Sequence, residues 1–280
     1  MSQNSYPILP PLGENVGAVY RSLTAQIREA VAASGFTDVV FGLSGGIDSA
    51  LVSTLAVDAL GAGRVHSVIM PSPFTPRESV DDALDLAYEL GMEAFTIAID
   101  SILSEYEVML ESPMYGQDTA LTHQNLQARI RANIIMAFSN QFDWFVLSTT
   151  NRSEATVGYT TLYGDMIGAF APIAPLYKGW VYELARFRNI RQPVIPERVL
   201  TKAPSAELAS GQTDEDELGP YTVLDAILYR RDQGESADDL IGAGFDSETI
   251  GRIESMIQKS HFKRRFAATP AVLPDLDEKV

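Results

Sequence analysis

Nothing narrows the fold of this chain as much as residues 39–60. Val39, Val40 and Phe41 form a short apolar run rich in β-branched side chains, which predicts a buried strand. Leu51, Val52, Leu55, Ala56 and Leu60 then recur at helical spacing, so a helix is expected over 48–60. After Gly42 and Leu43, the residues Ser44, Gly45, Gly46, Ile47, Asp48 and Ser49 make the strand-to-helix turn. The adjacent glycines permit positive φ and let main-chain N–H groups come close to a ligand. The helix that follows aims its unpaired N–H groups and the positive end of its dipole at the same place. An oxyanion suits such a turn, and a phosphate is its natural occupant.

Residue types refine this expectation. The turn has no lysine where a Walker loop needs one, and it does not follow the G-x-G-x-x-G pattern. Its polar groups are two serine hydroxyls and one aspartate. Hydroxyls and amides can cradle a pyrophosphate, while Asp48 can hold the magnesium ion that accompanies it. The plain alternative is a glycine turn in which Asp48 and Ser49 cap the helix.

The flanking sequence supplies a frame. Helices are expected over 15–33, 79–90 and 124–141, and further strands over 65–70, 94–99 and 144–148. Gly35, Gly61 and Gly91 stand where the first three helices should stop. Strands alternating with helices predict right-handed βαβ units, hence an α/β fold with a doubly wound parallel sheet and helices on both faces. Ligands bind such sheets at the carboxyl ends of the strands. That brings residues 44–49, 70–76 and 149–154 to one rim. One domain over residues 1–280 is the expectation for this length, with the proline-containing residues 1–12 as a loose arm.

A net charge of −16 argues against nucleic acid as the main partner, because a phosphate backbone needs a basic face. It also makes individual basic positions informative if the substrate is a polyanion. No apolar run reaches the roughly 18 residues of a membrane span, and no secretory leader is legible; a cytoplasmic protein is expected. Cysteine is absent, which excludes disulfides, thiolate metal ligands and a thiol nucleophile.

Several polar clusters follow. Met70 opens a loop holding Pro71, Pro73 and Pro76, a stiff connector at the least. Arg129 and Arg131 are two apart on a helix and so cannot share a face; one can enter the site while the other pairs elsewhere. Thr149, Thr150, Asn151, Arg152, Ser153 and Glu154 make a polar loop after a strand, with Glu154 either a second magnesium ligand or, with Ser153, part of a helix cap. The acidic run at 214–217 reads as a solvated loop rather than a metal site, and Phe262, Lys263, Arg264 and Arg265 read as a basic surface patch.

As an ordered set these motifs resemble the NAD synthetases of the ATP pyrophosphatase superfamily, from about residue 20 to 270. The set comprises S-G-G-x-D-S at 44–49, N-x-x-A-R-x-R at 125–131, T-x-N-R-S-E at 149–154, G-Y-x-T-x-Y-G-D at 158–165, Tyr177-Lys178, P-S-A-E-L at 204–208, D-E-D-x-L at 214–218 and Lys263-Arg264-Arg265. The wording around Thr161 to Met166 and Ile195 to Lys202 is similar to the synthetase half of glutamine-dependent members. The resemblance implies an adenine nucleotide alpha hydrolase-like fold and a reaction that amidates deamido-NAD through an acyl-adenylate. It implies ATP and Mg2+, with residues 42–49, Met70, Thr149, Lys178 and Ser205 at ATP and Asp48 and Glu154 on the metal. Asp48 and Lys178 would be catalytic. Arg129, Asp165, Phe262 and Lys263 would bind deamido-NAD. It further implies a homodimer.

Glutamine-dependent members carry an amidase domain with a cysteine nucleophile. This chain has neither the length nor the cysteine for it, so free ammonia, or ammonia from a separate amidase, is the expected nitrogen source. Leu162, Ala169 and Gln124 depart from ammonia-dependent members, which have lysine, aspartate and glutamate there. Two other readings follow: a relative that amidates a different carboxylate, and a nucleotide-binding subunit without turnover.

Overall fold

The computed structural model describes residues 6–276. The chain runs α1 (Val16–Ala33), β1 (Val39–Gly42), α2 (Ile47–Leu60), β2 (Val65–Ile69), α3 (Arg77–Leu90), β3 (Glu93–Thr96), α4 (Asp100–Glu111), α5 (Ala120–Phe142), β4 (Phe145–Val146), α6 (Arg152–Val157), β5 (Phe170–Ala171), α7 (Lys178–Arg191), α8 (Glu197–Thr201), α9 (Asp214–Leu218), α10 (Tyr221–Asp232), α11 (Ala237–Gly242), α12 (Ser247–Ser260) and β6 (Thr269–Pro270).

The main sheet is parallel throughout, in the order β3-β2-β1-β4. The order reverses at β1, whose neighbours are the second and the fourth strand, and the glycine turn leaves the carboxyl end of that strand. Side chains alternate across the sheet, as the pleat requires. Val39 and Phe41 face a core built with α1, α2, α3 and α7. Val40 and Val68 face a second core with Ile99, Leu103, Ile130 and Ile135 from the side of α4 and α5. Helices therefore cover both faces, and the expected α/β architecture is observed. β5 and β6 form a separate parallel pair, which a bridge between Leu147 and Phe170 joins to the end of β4.

α2 follows the glycine turn and is buried on nearly every side. Ala50, Leu51, Val52, Leu55 and Ala56 are fully buried, as expected of a helix that lies inside a protein rather than on it. The turn thus rests on an element held in the core.

Some expectations need correction. Residues 1–5 of the expected loose arm lie outside the described residues, but 6–12 are docked. Tyr6 stacks on Phe245, the Pro10 carbonyl accepts the indole N–H of Trp180, and Leu12 is buried with its N–H on Glu183. The third strand leaves the ladder at Thr96, although Ile97 and Ile99 still donate to Ile69 and Pro71. α4 was not foreseen: only Leu103 on it is buried, so its apolar residues do not mark one face.

Candidate active site

β1 ends at Gly42, and the Leu43 N–H still reaches the Val68 carbonyl. The two glycines of the turn then play different parts. Gly45 has φ +76°, and a Cβ there would lie 2.1 Å from the Ser79 carbonyl oxygen, so side chains are excluded twice over. Gly46 is extended, with φ −89° and ψ 164°, at the N-cap of α2. The expectation of positive φ at both therefore holds for Gly45 alone, because one left-handed residue completes the reversal. The serines brace the turn: Ser49 Oγ accepts the Ser44 N–H and donates to the Gly46 carbonyl, and Ser44 Oγ accepts the Gly46 N–H.

Asp48 does not cap the helix. Its Oδ1 accepts from Asn151 Nδ2 at 2.9 Å and its Oδ2 from Lys178 Nζ at 2.5 Å. Lys178 also donates to Glu154 Oε1 at 2.9 Å, and its ammonium lies 5.1 Å from the Tyr221 ring centroid. Three separate elements supply the cluster: α2, α6 and the first residue of α7. The Lys178 side chain is only 3% exposed. Burial by itself favours the neutral amine, but Asp48 and Glu154 outweigh it and hold the ammonium well above the usual lysine range. Burial pushes the Glu154 carboxyl up, with Lys178 pulling it down and Asp48 and Asp214 adding to the push.

Asn151 caps α6 by accepting the Glu154 N–H on Oδ1, a role the sequence had suggested for Ser153 and Glu154. The same side chain orients Asp48 through Nδ2. The acidic run is not a solvated loop. A Thr213–Asp216 capping box starts α9 there, and Asp214 is buried with Oδ2 on the Tyr221 hydroxyl. Glu215, Asp216 and Glu217 do face solvent, because only one side of this single turn meets α10.

One cavity at the carboxyl end of the sheet is lined by Gly42, Leu43, Ser44, Gly46, Ile47, Asp48 and Ser49. Met70, Thr149, Glu154, Asp165, Lys178 and Ser205 line it as well. Of the expected ATP residues only Gly45 stands behind the wall, packed on Ser79. Arg131, not Arg129, enters this cavity, where its Nε donates to the Met70 carbonyl at 2.9 Å. Ser205 Oγ donates to the Gln212 carbonyl and accepts the Glu207 N–H. Glu207, at φ +51°, accepts from Ser79. Arg131, Asn151, Glu207 and Asp214 each stand in a motif quoted above, but the first three have partners far away in sequence and Asp214 meets Tyr221 of the next helix, so motif spacing could not assign them.

The other expected residues gather elsewhere. Arg129 Nε donates to the Leu162 carbonyl at 3.2 Å. Lys263 Nζ donates to the carbonyls of Gly158 and Thr160 at 2.9 and 2.6 Å, and Phe262 is 52% exposed. None of the three lines the cavity. Asp165 does, and its Oδ1 accepts the Thr161 N–H. The basic patch is thus partly structural: Lys263 and Arg264 tie the C-terminal segment to carbonyls of residues 156–160.

The donors fit magnesium. Asp48 and Glu154 both line the cavity and offer hard carboxylate oxygens, with Lys178 Nζ between them. Among the described residues no group of three or more His, Cys, Asp or Glu is arranged to hold a metal ion. Magnesium ordinarily takes one or two carboxylates and completes its shell with water and phosphate, so two ligands suffice.

Known proteins match this chain closely. The sequence model of the family described as NAD synthase covers residues 19–267. The glutamine-dependent NAD(+) synthetase of Aquifex aeolicus is 48% identical over 250 residues, 89% of this chain and 44% of that protein. The chain spans about half the length of the curated relatives it matches. Among solved structures, an NMN synthetase from Francisella tularensis superposes with a TM-score of 0.78 at 31% identity, covering 92% of this chain and 99% of that one. An NH3-dependent NAD synthetase from Campylobacter jejuni gives 0.74 at 31% identity with the same coverage. A family match over nearly the whole chain, on a fold whose cavity collects the glycine turn and the Asp48–Lys178–Glu154 cluster, means that this protein belongs to the NAD synthase family.

Proposed function

We propose that this protein amidates nicotinic acid adenine dinucleotide (deamido-NAD) with ammonia, forming NAD while ATP is cleaved to AMP and pyrophosphate. The observation that carries this reading is the meeting of Asp48, Glu154 and Lys178 beside the glycine turn, in the cavity lined by Met70, Thr149 and Ser205. A carboxylate is a poor electrophile. Its oxygen attacks the α-phosphate, pyrophosphate leaves, and the resulting acyl-adenylate is open to ammonia. Ammonia adds to the carbonyl, loses a proton and expels AMP. The N-terminus of α2, where Ile47, Asp48 and Ser49 line the cavity, receives the pyrophosphate, and Lys178 adds a fixed positive charge. Asp48 and Glu154 would hold magnesium, which neutralises charge on the leaving group when bound. The Met70 rim would meet adenine, and Asp165, with Arg129, Phe262 and Lys263, the second substrate. No step requires a thiol.

Ammonia, free or from a separate amidase, is the nitrogen source in this reading, although the glutamine-dependent relatives keep the alternative in view. A homodimer is expected; Val108 and Met109 on α4, with Tyr115 and Leu121 beyond it, are each 69–88% exposed and support this. Among the described residues no helix is long and apolar enough to cross a membrane, and we place the reaction in the cytoplasm.

A second reading is amidation of a shorter carboxylate, such as nicotinic acid mononucleotide. Arg129, Phe262 and Lys263 standing outside the cavity favours it, as does the likeness to an NMN synthetase. Steady-state assays with ATP, magnesium and ammonia decide. The first reading expects AMP and NAD in equal amounts from the dinucleotide, and preference for the mononucleotide supports the second. No AMP above background with either removes both and leaves a nucleotide-binding protein. Glutamine as sole nitrogen donor should give no amide.

A further inference from the structure

α6 and α7 each begin with a residue of the site, and one buried carboxylate outside the cavity holds both beginnings. Asp225, on α10, is 1% exposed. Its Oδ1 accepts from Ser153 Oγ at 2.5 Å and its Oδ2 accepts the Gly179 N–H at 2.8 Å. Ser153 Oγ in turn accepts the Lys178 N–H at 3.0 Å. Ser153 is the neighbour of Glu154 in the chain, and Gly179 is the neighbour of Lys178. A single side chain is therefore one residue away from both partners of the ion pair, yet it does not line the cavity.

The arrangement answers a local need. The first N–H groups of an α-helix have no partner within the helix, and Tyr177, at the N-cap of α7, offers no side-chain acceptor. Asp225 supplies the cap from a different helix and places an acid at the positive end of the α7 dipole. Other contacts keep α6 in place without it: Asn151 caps it, and Ser260 and Arg264 reach its Thr156 carbonyl from the C-terminal side. Other bonds also join the start of α6 to the start of α7, the Arg152 N–H to the Leu176 carbonyl among them; what Asp225 adds is a tie between the residues beside Glu154 and Lys178.

We propose that Asp225 is a positioning residue for ATP cleavage, clamping the start of α6 to the start of α7 so that Glu154 and Lys178 meet Asp48 at the right separation. This rests on the functional reading above, so the test includes a measurement that needs no turnover. Asp225→Asn keeps the shape but turns one acceptor into a donor facing Ser153 or Gly179. Calorimetry gives the dissociation constant for ATP with Mg2+ in the absence of the second substrate, and thermal unfolding reports the folded fraction. Residues that orient metal ligands from behind typically cost about 10- to 100-fold in affinity or activity when changed. The expected result for Asp225→Asn is a change of that size in the dissociation constant, in kcat per folded molecule, or in both. Ser153→Ala, which removes the bridging hydroxyl but leaves the cap on Gly179, should shift the same quantities less, and it decides the matter if Asp225→Asn does not fold. If wild-type protein binds ATP with Mg2+ but turns over no carboxylate, the functional reading fails and the binding measurement still judges Asp225. A folded variant with unchanged ATP affinity and unchanged kcat per folded molecule would show that Asp225 only supports the fold, and the proposal falls.

Discussion

A nitrogen base set between two carboxylates occurs at both ends of the sheet. At the amino end, His66 Nδ1 lies 2.8 Å from Glu93 and Nε2 lies 3.0 Å from Asp38. The imidazole stacks on Trp144 with centroids 3.6 Å apart. At the carboxyl end, Lys178 lies between Asp48 and Glu154. Each nitrogen group is flanked by two acids, but the surroundings differ. Trp144 closes over His66, and neither His66 nor its acids line the cavity. Lys178 borders it, beside a glycine turn and the N-terminus of α2. Parallel strands put helix N-termini at their carboxyl ends only, so that end alone can receive an anion. An ion cluster becomes a site through what adjoins it.

The largest effect should separate the two clusters directly. Asp48→Ala is expected to lower kcat/KM for AMP formation by about 10³-fold, the scale of losing a transition-state electrostatic contact. His66→Gln should leave that rate within about twofold, as changes outside the machinery do. Comparable losses in both variants would erase the distinction drawn here.

The next test concerns what stands behind the open site. Burial pushes the Asp225 carboxyl up to about 6 from 3.8, against hydrogen bonds from Ser153 and Gly179 that pull it down. The folded state then keeps a proton that the unfolded chain has already lost. This contribution is fully present below pH 3.8, declines as pH rises to about 6, and is level above that. It amounts to at most about 3 kcal/mol. Urea unfolding from pH 4 to 7 should show the decline in wild type and a flatter profile in Asp225→Asn; parallel profiles would contradict it.

A smaller effect distinguishes the two glycines beside Asp48. Gly45→Ala has to displace the Ser79 main chain and adopt positive φ, at a cost of about 1–3 kcal/mol. Gly46→Ala meets only the Ser44 hydroxyl in extended backbone and should cost less than about 1 kcal/mol. Equal losses in denaturant midpoint would mean that the turn is not rigid. On stability, His66→Gln should cost only about 1 kcal/mol, because the Glu93 side chain is already 54% exposed. Trp144 fluorescence would report the lost stacking.

Much of the chain before residue 152 was legible in order. The strand before Gly42, the helix after Gly46, two further βα units and a fourth strand follow from apolar spacing and glycine stops. Beyond residue 152 less was legible. α6, α8, α9 and α11 have five or six residues each, too few turns for a periodic pattern to stand out. Asp214 looked like one of a solvated run because its burial depends on Tyr221 and α10 rather than on its neighbours. Asp225, in mid-helix between apolar residues, carried no motif at all. Of the two arginines at 129 and 131, the helical period showed that they diverge but not which one faces the cavity.

By itself the sequence determined the strand, the turn and the helix around Asp48, since backbone dihedrals and side-chain periodicity are properties of consecutive residues. It also determined the membership of the rim, because parallel βα units put every strand-to-helix loop at one end. Only the tertiary structure decided that Asp48 meets Lys178, 130 positions away, and that Asp225 reaches Ser153 across 72. Those meetings depend on strand order and helix packing, which bring distant segments within hydrogen-bond range and leave no trace in the spacing of either one.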